Sequence, residues 1–246
     1  MIGADGRVVI VAIDHALYSW PCPGLEDRSR ILRAVVQAGA DAVIASYGTI
    51  RDRREDFGAA APILKLDLTT VTLGGSYPVT EYVLAWTVDD AVRLGVTDVL
   101  TYVQLGADSE LDALRAAAGV AAAADRAGVR YVCEIMPVEG ARFPDPTAPD
   151  AIAAAARTGA ELGAHVVKTS MPSPPSAVGR AVTAGVPVVL AGGDPTSDRD
   201  GFLDAIRAAC DAGAAGAAVG RNVWGAPDPG EMVRLLVRTV HDEATA

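Results

Sequence analysis

ELGAHVVKTS, residues 161–170, is the stretch whose reading decides the fold. It runs from the end of a helical pattern through Gly163 into a short β-rich segment. Glycine tolerates the left-handed conformation that closes many helices, so the stretch reads as helix, C-cap, strand. The same punctuation falls at Gly39, Gly95, Gly128, Gly163, Gly185 and Gly213. The runs behind these glycines are ADAVIAS, VTDVLTYVQL, VRYVCEIM, AHVVKTS, VPVVLAGG and AAGAAVGRNV. Two further strands, VVIVAID near the start and PILKLDLT at 62–69, lack the mark. Segments between them, such as LEDRSRILRAVVQA and DRDGFLDAIRAACDA, carry helical spacing.

Eight alternating β/α units predict a single TIM (β/α)8 barrel over residues 1–246. An open doubly wound sheet would carry a glycine-rich turn after strand one, whereas DHALYSW has no glycine. TVTLGGSYPVTEYVLAW, 70–86, is longer than a usual βα loop and reads as an excursion at the barrel mouth with an extra short strand.

Half of the residues are hydrophobic, enough for a sizeable core, and no Pro/Ser linker divides the chain. A net charge of −10 argues against general nucleic-acid binding but leaves room for a local anion site. No run is long and apolar enough to span a bilayer. The N-terminus MIGADGRVVIVAIDH has no basic n-region and reads as a first strand. Cys22, Cys133 and Cys210 are scattered and without CxxC, which fits a reducing cytoplasm with neither disulfides nor a zinc site.

Side chains alternate along a strand, and the face packed on helices is the more uniformly apolar. That criterion turns Val9, Val11, Ile13, Leu64, Leu66, Leu68, Val99, Val103, Leu105, Tyr131, Cys133, Ile135, Val167 and Thr169 outward. It leaves Asp14, Lys65, Asp67, Tyr102, Gln104, Glu134, Met136, Lys168 and Ser170 facing the barrel axis. Most of these lie toward the C-terminal ends of their strands, where such barrels carry their active sites.

Of 21 basic residues only Lys65 and Lys168 are lysines. Arginine stays protonated, whereas lysine can lose its proton and act as a nucleophile. Both lysines point inward beside carboxylates, so they are either partners in a buried ion-pair network or parts of a reactive centre; several inward charges favour the second. A lysine in a desolvated site near another cation, here Lys65, has a lowered pKa and can form a Schiff base with a ketone. Lys65 can also hold substrate oxygens, and Asp14 or Glu134 can move protons. His15, following Asp14, either touches substrate or is satisfied by backbone. His165 and His241 read as structural or solvated; Trp20 and Trp224 flank mouth loops and either line the pocket or, the plainer reading, pack.

LAGGDPT closes strand seven with Gly192 and Gly193, and AVGRNVW closes strand eight with Gly220 and Arg221. Glycines let backbone N–H groups approach a phosphate, the loops after strands seven and eight are the usual phosphate site of these barrels, and Arg221 adds a fork for phosphate oxygens. Tight turns without a ligand are the plainer alternative.

VAIDHAL…PGLED, AGADAVIASYG, PILKLDLT, ELGAHVVKTS, PVVLAGGDP and GAAGAAVGRNVW…DP follow one another in an order that resembles class I aldolases of the archaeal fructose-bisphosphate aldolase type. This group is related to deoxyribose-phosphate aldolase and includes aminodideoxyheptulosonate synthases and a thiolase-like enzyme. The resemblance implies a metal-independent, cofactor-free lyase that forms or breaks a carbon–carbon bond. Lys168 is then the Schiff-base lysine, Asp14 takes part in proton handling, and Gly192, Gly193, Gly220 and Arg221 hold the phosphate of a ketose phosphate such as dihydroxyacetone phosphate. It further implies a homo-oligomer. One departure stands out. The family ends strand five with a proton-donating tyrosine before Pro-Arg-Gly, whereas this chain reads CEIMPVEG, with Met136 at that place. Glu134 is the first substitute, Tyr102 the second and a water held by Asp14 the third. The Ala/Arg-rich composition fits a GC-rich genome, where relatives condense dihydroxyacetone phosphate with aspartate semialdehyde. Rival readings are acyl transfer to coenzyme A by the same lysine and a non-catalytic sugar-phosphate binder.

Overall fold

In the computed structural model, residues 1–69, 72–73 and 81–241 are described. Strands β1 (Val8–Ala12), β2 (Ala42–Ala45), β3 (Ala61–Lys65), β4 (Asp98–Leu105), β5 (Arg130–Pro137), β6 (Val166–Thr169), β7 (Val188–Ala191) and β8 (Gly216–Val219) form a closed barrel in chain order. Every neighbouring pair is parallel, and β8 closes on β1. Around it run α1 (Arg28–Gln37), α2 (Tyr47–Asp52), α3 (Val88–Arg93), α4 (Glu110–Ala127), α5 (Pro149–Glu161), α6 (Gly179–Val182), α7 (Arg199–Asp211), α8 (Arg221–Trp224) and α9 (Pro229–Val240). The six punctuating glycines all adopt positive φ, between 66° and 104°. An L side chain there would be strained, and that is why the residue marks these joins.

The alternation of strand residues becomes two separate apolar layers. Val9, Val11, Leu64, Val99, Tyr131, Cys133, Ile135 and Val167 pack with the helices. Val8, Ile10, Ala42, Ile44, Ile63, Leu100, Val132, Val166 and Val189 fill the lower barrel, and Met1 and Ile2 pack against them. Burial of each Leu or Ile stabilises by about 1.5–3 kcal/mol, so the two layers dominate the fold's energetics. Alanines and one glycine on α5 bring that helix close to the sheet. A Cβ on Gly159 would lie only 2.8 Å from Val167 Cγ2, which fixes the strand that carries Lys168.

Two strand expectations need correction. PILKLDLT is not one strand, because β3 ends at Lys65. The Leu66 carbonyl accepts hydrogen bonds from Ala85 N (2.9 Å) and Trp86 N (3.0 Å) instead of continuing the ladder. Asp67–Thr69 then pairs antiparallel with Tyr82–Leu84. Strand eight likewise ends at Val219, and Arg221 opens the short helix α8. The mouth excursion does contribute a strand, Thr72–Leu73, parallel to Ser19–Trp20, while 70–71 and 74–80 lie outside the described residues. Among the described residues no helix is long and apolar enough to cross a membrane.

Candidate active site

Above the apolar plug, at the C-terminal end of the strands, the barrel opens into a cavity of about 490 Å³. Alternation carries the axis-facing column of each strand upward from that plug. Val166 gives way to Lys168, Val132 to Glu134 and Ile63 to Lys65. Lys168 and Glu134 are direct partners in the β5–β6 register, and Lys168 Nζ lies 2.7 Å from Glu134 Oε1. Lys168 is 6% exposed, so the pair sits at the cavity floor, out of bulk water.

Lys65 is also buried, and its Nζ is 2.5 Å from Asp67 Oδ1. The other Asp67 oxygen accepts the Tyr102 backbone N–H. Burial alone would favour the neutral amine, but the charges of Asp67, Asp14 and Glu134 outweigh it and hold the Lys65 pKa above its ordinary value. Lys65 therefore remains a cation beneath the Tyr18 and Tyr102 rings, 5.9 and 5.5 Å from their centroids.

His15 also lines the cavity, in a short 3-10 turn. Its ring meets Tyr18 and Trp224, each at a centroid distance of 5.3 Å, and its Nδ1 has no hydrogen-bond partner among the described residues. Burial, reinforced by the charges of Lys168 and Arg221, pushes its pKa down to about 3, so the imidazole is neutral. Asp14 is buried beside it, with Oδ1 3.7 Å from His15 Nδ1, and is not among the side chains that line the cavity. Its charge nevertheless reaches Lys65.

Gly192, Gly193, Gly220 and Arg221 come together on one side of the cavity, and Ser170 lines the floor near Lys168. Gly192 abuts Val219, 2.8 Å from where a Cβ would point, and a Cβ on Gly220 would collide with His15. Arg221 Nη1 is 2.7 Å from Asp194 Oδ1, on a carboxylate that is almost wholly exposed. Met136 lines the wall two residues above Glu134 and offers no titratable proton there.

Residues with no strong sequence signal complete the walls, namely Tyr18, Thr147, Met171 and Phe202. Asn222, beside the flagged Arg221, ties the β7 and β8 loops together with three hydrogen bonds. Cys133 belongs to the outer core, where burial pushes its thiol up to about 12. His165 accepts the Tyr131 N–H, and His241 bridges Asp5 and Asp41, so both are structural. Trp224 packs, its Nε1–H donating to the Ala12 carbonyl, but Trp20 does not; it is 47% exposed and lines no cavity described here.

The model of the DeoC/LacD family aldolases matches residues 8–226. The chain is 37% identical over 246 residues to the 2-amino-3,7-dideoxy-D-threo-hept-6-ulosonate synthase of Halobacterium salinarum, covering 99% of this chain and 90% of that protein. It is 30% identical over 240 residues to the 2-amino-4,5-dihydroxy-6-oxo-7-(phosphonooxy)heptanoate synthase of Streptomyces griseus, covering 97% and 86%. An archaeal fructose-1,6-bisphosphate aldolase, solved with its catalytic lysine covalently bound to a carbinolamine intermediate, superposes with a TM-score of 0.87 at 31% identity over 98% of this chain and 96% of that one. On sequence, and on a barrel shared nearly from end to end, the chain belongs to the DeoC/LacD aldolase family, lyases that make or break a carbon–carbon bond.

Proposed function

We propose that this enzyme joins dihydroxyacetone phosphate to an amino-acid aldehyde, with Lys168 as the imine-forming nucleophile and Glu134 as its proton partner. The observation that carries the reading is the Lys168–Glu134 contact of 2.7 Å at the floor of the cavity. Transfer of one proton across that contact yields a neutral amine and a carboxylic acid together. The amine adds to the donor ketone, its nitrogen gives one proton to the oxygen to form the carbinolamine, and the acid gives the second, so that water leaves and the iminium remains. The Glu134 carboxylate then removes a proton from the adjacent carbon. The resulting enamine attacks the aldehyde carbon, the alkoxide takes the proton back, and water hydrolyses the imine to free Lys168. Met136 cannot transfer a proton, so Glu134 serves where the family uses tyrosine. Tyr102 and Ser170 contribute polar groups to the substrate, Lys65 draws negative charge to its oxygens, and Asp14 acts through His15 and Lys65. Gly192, Gly193, Gly220 and Arg221 hold the phosphate.

The compound named for the Streptomyces griseus relative supports the acceptor. Its bond between the 4- and 5-hydroxyl carbons is the aldol bond. Breaking it gives dihydroxyacetone phosphate and a four-carbon aldehyde bearing an amino group and a carboxylate, aspartate semialdehyde. In this reading the enzyme works in the cytoplasm as a homo-oligomer, which sizing chromatography checks.

The test is incubation with dihydroxyacetone phosphate and sodium borohydride, followed by peptide mass spectrometry. A reduced adduct on Lys168, lost in Lys168→Arg, is the expected result. No adduct with this donor rejects the donor assignment.

A further inference from the structure

The β7–α7 loop has hollow space on both sides. Gly192, Gly193 and Asp194 line the cavity over Lys168. Pro195, Thr196 and Ser197 line a second cavity of about 610 Å³, which shares only His15 and Arg221 with the first. A loop between two cavities has little packing to hold its peptide planes, so hydrogen bonds must set them.

One side chain supplies those bonds. Asn222 is 7% exposed and lies on the second cavity's side of the loop. Its Nδ2 donates to the Gly192 carbonyl at 3.0 Å and to the Asp194 carbonyl at 2.9 Å, and its Oδ1 accepts the Thr196 N–H at 2.9 Å. Both Nδ2 hydrogens and one Oδ1 lone pair are thus spent on the same five-residue stretch. In a planar trans peptide the carbonyl and the next N–H point in opposite directions. Turning the Gly192 carbonyl away from the Lys168 cavity therefore turns the Gly193 N–H toward it. The Asp194 carbonyl is turned away as well, and the residue after it, Pro195, has no N–H to misplace. The Gly192 and Asp194 carbonyl oxygens thus face the side of the second cavity and the Gly193 N–H the other, while the Asp194 carboxylate is paired with Arg221.

We propose that Asn222 is a positioning residue for the donor's phosphate: by holding the Gly192 and Asp194 carbonyls toward itself, it aims the Gly193 N–H into the site. The inference rests on the phosphate reading given above. It identifies a residue that touches no substrate atom and acts only on the part of the donor that carries the charge.

The experiment compares dihydroxyacetone phosphate with dihydroxyacetone, which has the same ketone and no phosphate. For each, the concentration that gives half-maximal borohydride adduct on Lys168 is measured in the wild type, Asn222→Ala and Asn222→Asp, alongside thermal unfolding. Asn222→Asp retains the size and the Thr196 contact but sets an oxygen against two carbonyls. The expected result is a rise of about tenfold or more for the phosphorylated donor in both variants, the scale of losing a buried supporting hydrogen bond, and little change for dihydroxyacetone. Equal weakening of both donors, or no weakening of either, overturns the proposal. If the wild type itself forms the adduct but does not distinguish the two donors, the phosphate site falls and the proposal with it. Absence of any adduct in the wild type instead indicts the imine reading.

Discussion

Lys168 and Glu134 face each other directly across β6 and β5, partners in the strand register, with Nζ and Oε1 2.7 Å apart. The pair is set by two backbone ladders, not by flexible loops. Such a contact serves catalysis better than stability, because desolvation offsets much of the attraction between buried charges.

Glu134→Gln keeps the shape and removes the proton acceptor. Turnover should fall by about 10²-fold or more, the usual scale of general acid–base catalysis. Borohydride should still trap a slower-forming adduct on Lys168. Turnover within a few-fold of wild type would return the proton role to Tyr102 or to water.

Met136→Tyr places a phenol on the cavity wall above Glu134, where methionine now stands. Cleavage of fructose 1,6-bisphosphate, followed by coupled release of triose phosphate, should rise by roughly tenfold or more as a second proton donor enters the site. An unchanged rate would mean that Met136 is not the position limiting that reaction.

Gly220→Ala would drive a Cβ into the His15 ring. The overpacked variant should lose about 1–3 kcal/mol of stability in urea titrations. Combined with His15→Ala, which clears the ring, the loss should be clearly less than the sum of the two single changes. Simple additivity would deny the contact.

The two perturbed histidines pull stability in opposite directions with pH. At His241 burial lowers the pKa, but hydrogen bonds that the ring donates to Asp5 and Asp41 outweigh it and leave the folded value above 6.5. Its contribution is complete below about 6.5, the unfolded value, and is lost as pH rises through the folded one. His15 is depressed to about 3 by burial, so its neutral form favours folding above pH 6.5, and that contribution is lost as pH falls toward 3. His241→Gln should flatten the alkaline side of the stability profile and His15→Gln the acidic side, read from unfolding midpoints between pH 4 and about 9. Unaltered slopes would refute both assignments.

The barrel was legible because its two determinants are local. A left-handed helix end asks for glycine, and a strand between helices and axis asks for alternation, so Gly163 and Val166–Thr169 announce themselves. The same alternation led to Lys65, Glu134 and Lys168, since a charge on an inward position is conspicuous. What escaped depends on distant partners. The end of β3 at Lys65 is set by Ala85 and Trp86 hydrogen-bonding back to Leu66. Asp14 has the right parity but does not line the cavity, where its neighbour His15 stands instead, held against Tyr18 and Trp224. Asn222 looks like any polar residue in a turn until the loop thirty residues earlier closes over it.

Among the described residues, the apolar plug of Val8, Ile10, Ile44, Ile63, Leu100 and Val132 closes the barrel beneath the reaction chamber. Lys168 lies at the inner end, so the ketone that bonds to it must enter before the aldehyde, and the water released by imine formation must leave by the same mouth before the aldehyde takes its place. Kinetics should therefore be strictly sequential, with the ketone as the leading substrate. An aldehyde supplied in excess should slow the enzyme by occupying the corridor ahead of it.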